Sequence, residues 1–319
     1  MERKKNKWVV VTLVVILVLV SFCAVMSAFN WDFSKLSTVE FETKTYEMNA
    51  DFNSIAIETD TADIIFAISD NGQGKVVCYE AAKVKHTVTV ENGVLRINVV
   101  DERKWYEFIG ITVYTPKITV YLPKAQYTTL SIRESTGDVK IPDTFQFADI
   151  DICTSTGDVK NYASVTDAMN IEATTGNILV ENATADSVDL TVSTGKVTVT
   201  NLTCQKDLKV SVTTGKANLK NITCENMTSN GDTGDLTLEN VIAEGKMRIE
   251  RDTGDVRFTG CDAGEIFVET DTGDVSGTLL TDKVFIVESD TGRVDVPKTT
   301  TGGRCEITTD TGDINIKIS

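Results

Sequence analysis

Five copies of the triplet Asp-Thr-Gly, at Asp232, Asp252, Asp271, Asp290 and Asp310, are the first residues of this 319-residue chain whose type and spacing suggest chemistry. The triplet carries the catalytic aspartate of pepsin-like and retroviral proteases, where two carboxylates share one proton across a single cleft. Five copies do not fit that geometry. In the copies nearer the N-terminus the same position holds Ser135, Ser155, Thr174, Ser193 and Thr213. A catalytic carboxylate cannot be exchanged for a hydroxyl. What Ser, Thr and Asp share is a short side-chain oxygen able to accept a hydrogen bond from the backbone two residues on. The triplet therefore reads as a turn.

A second chemistry is ion binding. If successive copies stack in register, the five aspartates form a carboxylate column about 5 Å apart, repelling by roughly 0.8 kcal/mol per pair even in water. Asp235, Asp255, Asp274 and Asp313, one residue beyond the glycine, could complete oxygen sites for calcium, with Arg293 interrupting this second column. The alternative is that each aspartate caps its own turn and salt screens the repulsion. No other cofactor is expected. A glycosidase would need paired carboxylates in a cleft and aromatic platforms for sugar rings. The repeats offer acids but only scattered Phe and Tyr.

His86 is the only histidine, so every histidine-based triad or zinc site is excluded unless it centres there. In "KVKHTVTV" it reads as a polar side chain on a solvent face. Seven cysteines occur, none in a CxxC pair. Cys204 and Cys224, in "NLTC" and "NITC", are either stacked neighbours close enough for a disulfide or small buried thiols.

The elements that position these residues are repeats. Gly137, Gly157, Gly176, Gly195, Gly215, Gly234, Gly254, Gly273, Gly292 and Gly312 follow one another at intervals of 19 or 20 residues. "DTADI" at 60–64 is a degenerate first copy with Ala62 in the glycine's place. Around each turn apolar residues alternate, as in Val188, Leu190, Val197 and Val199, which is the period of strands facing one interior. So short a repeat cannot fold alone and must stack on its neighbours. The fold class is all-β, a solenoid of about ten rungs. Glycine marks a corner that needs positive φ, and the residue after it varies as at a solvent-facing site. Asn182, Asn201, Asn221 and Asn240 mark a second corner, where asparagine tolerates left-handed backbone and can ladder with its copies. Asn182, Asn201, Asn221 and Asn226 also head N-x-T triplets, the weaker reading of these positions.

Ahead of the repeats, "VTVENGVLRIN" predicts a hairpin turning at Asn92-Gly93, and "KITVYLPK" a strand closed by Pro123. Trp105, Tyr106 and Phe108 cluster between them as a cap on the first rung or a partner-binding loop. Further upstream, a basic tail over residues 1–7 precedes an apolar stretch at 8–29, long enough as a helix to cross a bilayer. It predicts an uncleaved signal anchor, with cleavage near Ser27 or Ala28 as the alternative. The basic residues would stay in the cytoplasm and place the rest outside the cell. The expected organisation is tail 1–7, transmembrane anchor 8–29, linker 30–38, β region with hairpin 39–129, and solenoid 130–319.

Charge narrows the partners. With 31 Lys and Arg against 47 Asp and Glu, and four of those bases within the first seven residues, the repeats are strongly acidic. Such a surface repels phosphate backbones, so nucleic acid is excluded as a partner.

The order of "FNSIAIETDTADIIF", a hairpin region ending in "ITVYLPK", and a ladder of "STGDV" and "DTGDV" units resembles a family of bacterial envelope proteins described as "putative adhesins", related to the Lia-type cell-envelope stress proteins. The resemblance spans about residues 39–319. It implies a parallel β-solenoid on the outer face of the cell and supplies no catalytic residues. The expectation is a membrane-anchored, non-catalytic binding or scaffold protein whose partner is an envelope protein, a peptide or a wall polymer. The stacked strand faces would be the binding surface. The chain ends on "DINIKIS", read as an open last strand through which copies could self-associate.

Overall fold

The computed structural model describes residues 39–104 and 115–319, with isolated helical positions at 15–17, 20 and 27. Among the described residues no helix is long and apolar enough to cross a membrane. The expected anchor lies almost wholly outside the described residues, as do Trp105, Tyr106 and Phe108.

From residue 126 to residue 261 the strands pair in parallel, each with the next repeat, as the period demands. The repeat at 187–204 shows why. Val188, Leu190 and Val192 point inward before the glycine corner, Val197 and Val199 after it, and Leu202 and Cys204 after the asparagine corner; all are buried. A rung thus has three inward-facing runs. The alternation resets at Asn201, whose left-handed backbone (φ 54°) is what permits the reset. Asn201 Nδ2 donates to Asn182 Oδ1 at 2.7 Å, Asn221 to Asn201 at 2.8 Å, and Asn240 to Asn221 at 3.1 Å, a ladder from rung to rung.

The glycine corner is required twice over. Gly157 has φ 145°, and a Cβ there would lie 1.8 Å from the carbonyl oxygen of Gly137 in the rung beneath. At Gly157, as at the other glycine corners of the column, the rungs approach too closely for a side chain. Ala62 does take the glycine's place in this column: its N–H donates to Thr136 O at 3.0 Å. The rung at 54–68 is therefore part of the stack, paired with 126–141 on one side and with 94–98 and 117–122 on the other.

The N-terminal end is closed by antiparallel strands. Residues 84–91 run back along 94–101 from the expected turn, where Asn92 (φ 53°) and Gly93 (φ 77°) are both left-handed. Residues 75–81 pair antiparallel with 117–121 and with 41–47. The hairpin also corrects the reading of His86. Its parity is that of Val88 and Val90, which pack against the core, and not that of the exposed Thr87 and Thr89. His86 is 2% exposed, held by Thr59 and Glu80.

At the other end the rungs are not in chain order. Residues 266–272 pair with 305–311, and 275–279 with 314–318. The intervening repeat, 283–291 and 294–295, lies outside the C-terminal one. The glycine corners stack as Gly254, Gly273, Gly312, Gly292: Gly273 N–H donates to Thr311 O, and Gly312 N–H to Thr291 O. The last strand is thus covered by 294–295 at Ile314 and Asn315, while 316–318 pair on one side alone among the described residues. The expected open strand is therefore open only in part, and the outermost rung is 283–295. After Leu279 the chain steps over one rung position, and Lys283 Nζ braces the step with an ion pair to Asp262 Oδ1 at 2.6 Å. The return passes Gly302 (φ 100°) and fits the terminal repeat into the gap.

Candidate functional site

The two aspartate columns of the "DTGD" units behave differently. Asp232, Asp252, Asp271, Asp290 and Asp310 are exposed, and none of their carboxylates has a hydrogen-bond partner among the described residues. They do not cap their own turns. Strand register places Asp232 beside Asp252, Asp252 beside Asp271, Asp271 beside Asp310, and Asp310 beside Asp290.

The residues after the glycines form a hydrogen-bonded ladder. Asp158 N–H donates to Asp138 Oδ1 at 2.8 Å, Asn177 N–H to Asp158 Oδ1 at 2.8 Å, Asp274 N–H to Asp255 Oδ1 at 3.1 Å, and Asp313 N–H to Asp274 Oδ1 at 2.8 Å. Each is a charge-assisted bond that ties one rung to the next. The variety at this position therefore does not signal a free solvent-facing site. Lys216 Nζ takes the other oxygen of Asp235 at 2.8 Å and holds that carboxyl below its usual range; Arg257 takes that of Asp255 at 2.6 Å. Several oxygens of the expected calcium positions are thus already engaged. Among the described residues, the set of three His, Cys, Asp or Glu side chains whose ligand atoms converge is not at the corners but in the N-terminal cap.

The strand faces are closed by exposed rung-to-rung ion pairs. Lys206 meets Asp186, Lys209 meets Asp189, Lys220 meets Glu239 and Lys246 meets Glu265. Exposed and screened by solvent, they add little to stability. Cys204 and Cys224 are free, buried thiols, and burial pushes Cys224 up to about 12.

The outermost rung is open. Residues 283–291 pair only with 303–311 among the described residues, so their other edge presents unpaired N–H and C=O groups. Val294 is equivalent to the buried Ile314 but is 44% exposed, because no rung covers it. Phe285, Val287 and Val296 also end the core half-covered, and Ile286 on the outer face is 49% exposed. The acidic excess stops here: residues 280–304 carry four bases (Lys283, Arg293, Lys298, Arg304) and four acids (Asp282, Glu288, Asp290, Asp295). The cue in the sequence was Arg293 in a column of aspartates.

These features define a parallel β-solenoid with an antiparallel cap at its N-terminal end and an unpaired rung edge at 283–291. The chain belongs to the family described as Toastrack DUF4097, which it matches over residues 52–215 and 204–319. Among solved structures, a "putative adhesin" from Bacteroides fragilis NCTC 9343 is 15% identical, covering 87% of this chain and 97% of that one (TM-score 0.44). A "putative lipid binding protein" from Parabacteroides distasonis ATCC 8503 is 17% identical over 77% of this chain and 98% of that one (TM-score 0.46). A "putative adhesin" from Parabacteroides merdae ATCC 43184 is 14% identical over 87% and 97% (TM-score 0.44). No curated protein matches the chain.

Proposed function

We propose that this chain is a non-catalytic binding protein, held at the cell membrane by residues 8–29 with the solenoid outside the cell. Its partner is an extended segment of an envelope protein or peptide that adds a strand to the open rung at 283–296. The observation that carries this reading is the uncovered edge itself, where strand addition would pair free backbone groups and cover Phe285, Val287 and Val294. The antiparallel cap lies next to residue 39, so an anchor before it would leave the open rung at the distal tip, about 50 Å away for ten or so rungs. A wall glycan fits less well, since Phe285 is the only aromatic residue in 280–304. The interchange of Asp, Ser and Thr at the corners supports the absence of catalysis.

A photo-crosslinking residue at Ile286 in the full chain, in its native cell, tests the proposal. The expected result is a discrete adduct with an envelope protein that is missing when the same residue replaces Thr198 on a strand face. An adduct of twice the chain's mass would assign the rung to a second copy. Equal labelling at both positions would overturn the proposal.

A further inference from the structure

The N-terminal cap holds a group of buried ligands that the solenoid does not need. Cys78 and Glu80 stand two residues apart on one face of strand 75–81, and His86 faces them across the hairpin connection; Cys78 and Glu80 are 0% exposed. Their ligand atoms all lie within 4.8 Å of one another. The pairing of His86 Nδ1 with Glu80 Oε2 at 2.8 Å leaves Glu80 Oε1 buried with no hydrogen-bond partner. A buried carboxylate oxygen left so costs about 1–3 kcal/mol or more unless something else meets it. The Cys78 thiol likewise makes no hydrogen bond among the described residues.

We propose that Cys78, Glu80 and His86 form a buried site for a divalent transition-metal ion of the zinc class. Thiolate, imidazole and carboxylate are the donor set of zinc and its neighbours, whereas calcium would take oxygens alone. A bidentate Glu80 brings the set to the four donors zinc favours and uses the orphaned Oε1. The site also holds what a ligating histidine needs behind it. His86 Nε2 lies 2.9 Å from Thr59 Oγ1, which orients the ring with Nδ1 toward the cluster. Tyr46 Oη donates to His86 O and fixes the backbone. Charge closes as well: two positive charges meet one thiolate and one carboxylate, so the buried site is neutral. Binding releases the Cys78 thiol proton to solvent, while His86 ligates through Nδ1 with its ring proton on Nε2, donated to Thr59 Oγ1.

The test uses the full chain purified in detergent and stripped of metal by a chelator, with Co2+ as the probe. The expected result is uptake of one equivalent with a near-ultraviolet thiolate-to-cobalt absorption band, displaced by Zn2+. Cys78→Ala abolishes the band, His86→Gln weakens uptake at least as much as Thr59→Val, and Thr59→Val weakens it by about 10–100-fold. The wild-type spectrum decides even if a variant fails to fold. Cobalt bound without the thiolate band, or uptake unchanged in Cys78→Ala, would place the ion on the acidic corners and overturn the proposal, as would no uptake at all.

Discussion

Arg293 N–H donates to Asp313 Oδ1 at 2.8 Å, although Arg293 comes 20 residues earlier in the chain. Elsewhere in this ladder the later residue donates to the earlier one, as Asp158 does to Asp138. The ladder keeps one direction in space, so its reversal in sequence marks the exchange of the last two rungs.

Truncation tests that exchange. In a stack built in chain order, a stop after Thr300 would remove one terminal rung and leave 283–296 in place. Here it removes the rung on which 283–296 rests. Hydrogen exchange is expected to show the amides of 283–296 unprotected in the truncated chain. Retained protection there would mean that the strand docks directly on 266–272.

The two aspartate columns are expected to separate by mutation. Asp158→Ala removes the acceptor of both Asn177 N and Asn177 Nδ2 and should cost about 1 kcal/mol in denaturant unfolding. Asp252→Ala removes an exposed carboxylate without a partner among the described residues and should stay within about 0.5 kcal/mol in chelator. A calcium-dependent rise in melting temperature that Asp252→Ala abolishes would show that the exposed column holds ions.

The glycine corners make a steeper contrast. Gly157→Ala forces a Cβ against the Gly137 carbonyl at a φ of 145° and should cost about 3 kcal/mol or more, or prevent folding. Gly72→Ala meets nothing within 4 Å at φ 73° and should cost about 1 kcal/mol. Equal effects would show that conformation, not the closeness of stacked rungs, selects glycine.

Glu134 gives a pH signature. Burial raises its carboxyl from 4.5 to about 8, partly offset by the Ala62 amide. Between those values the unfolded chain releases this proton before the folded one does. Its contribution is therefore complete below about 4.5 and is lost as pH rises to about 8. Glu134→Gln should match the wild type at pH 4 and exceed it at pH 8 by about 1–3 kcal/mol in thermal or denaturant unfolding. A difference independent of pH would contradict the burial of this group.

Much of the architecture was legible because the period is strict. The glycine and asparagine columns, the inward parity of Val188 and Leu190, and the Asn92-Gly93 turn all follow from local backbone geometry, and the structure repeats them. Two readings failed for want of a partner to compare with. His86 shares its parity with Val88 and Val90, a signal that was present but lost to the expectation that a lone histidine between lysine and threonine faces water. The residues after the glycines looked variable because Lys196, Lys216 and Arg293 interrupt them, yet a ladder needs only an acceptor on one rung and a backbone N–H on the next.

By itself the sequence determined that this chain is a stack of β rungs with a glycine corner and an asparagine corner, because period and φ are local properties carried by each repeat. Only the tertiary structure decided the number of inward runs, the order of the rungs and which edge is left open. Parallel strands with the same inward parity pair almost equally well, so register with one neighbour does not say which neighbour it is. That choice is made where the chain crosses between rungs, at the Lys283–Asp262 brace and the Gly302 turn, by contacts between residues that no repeat period relates.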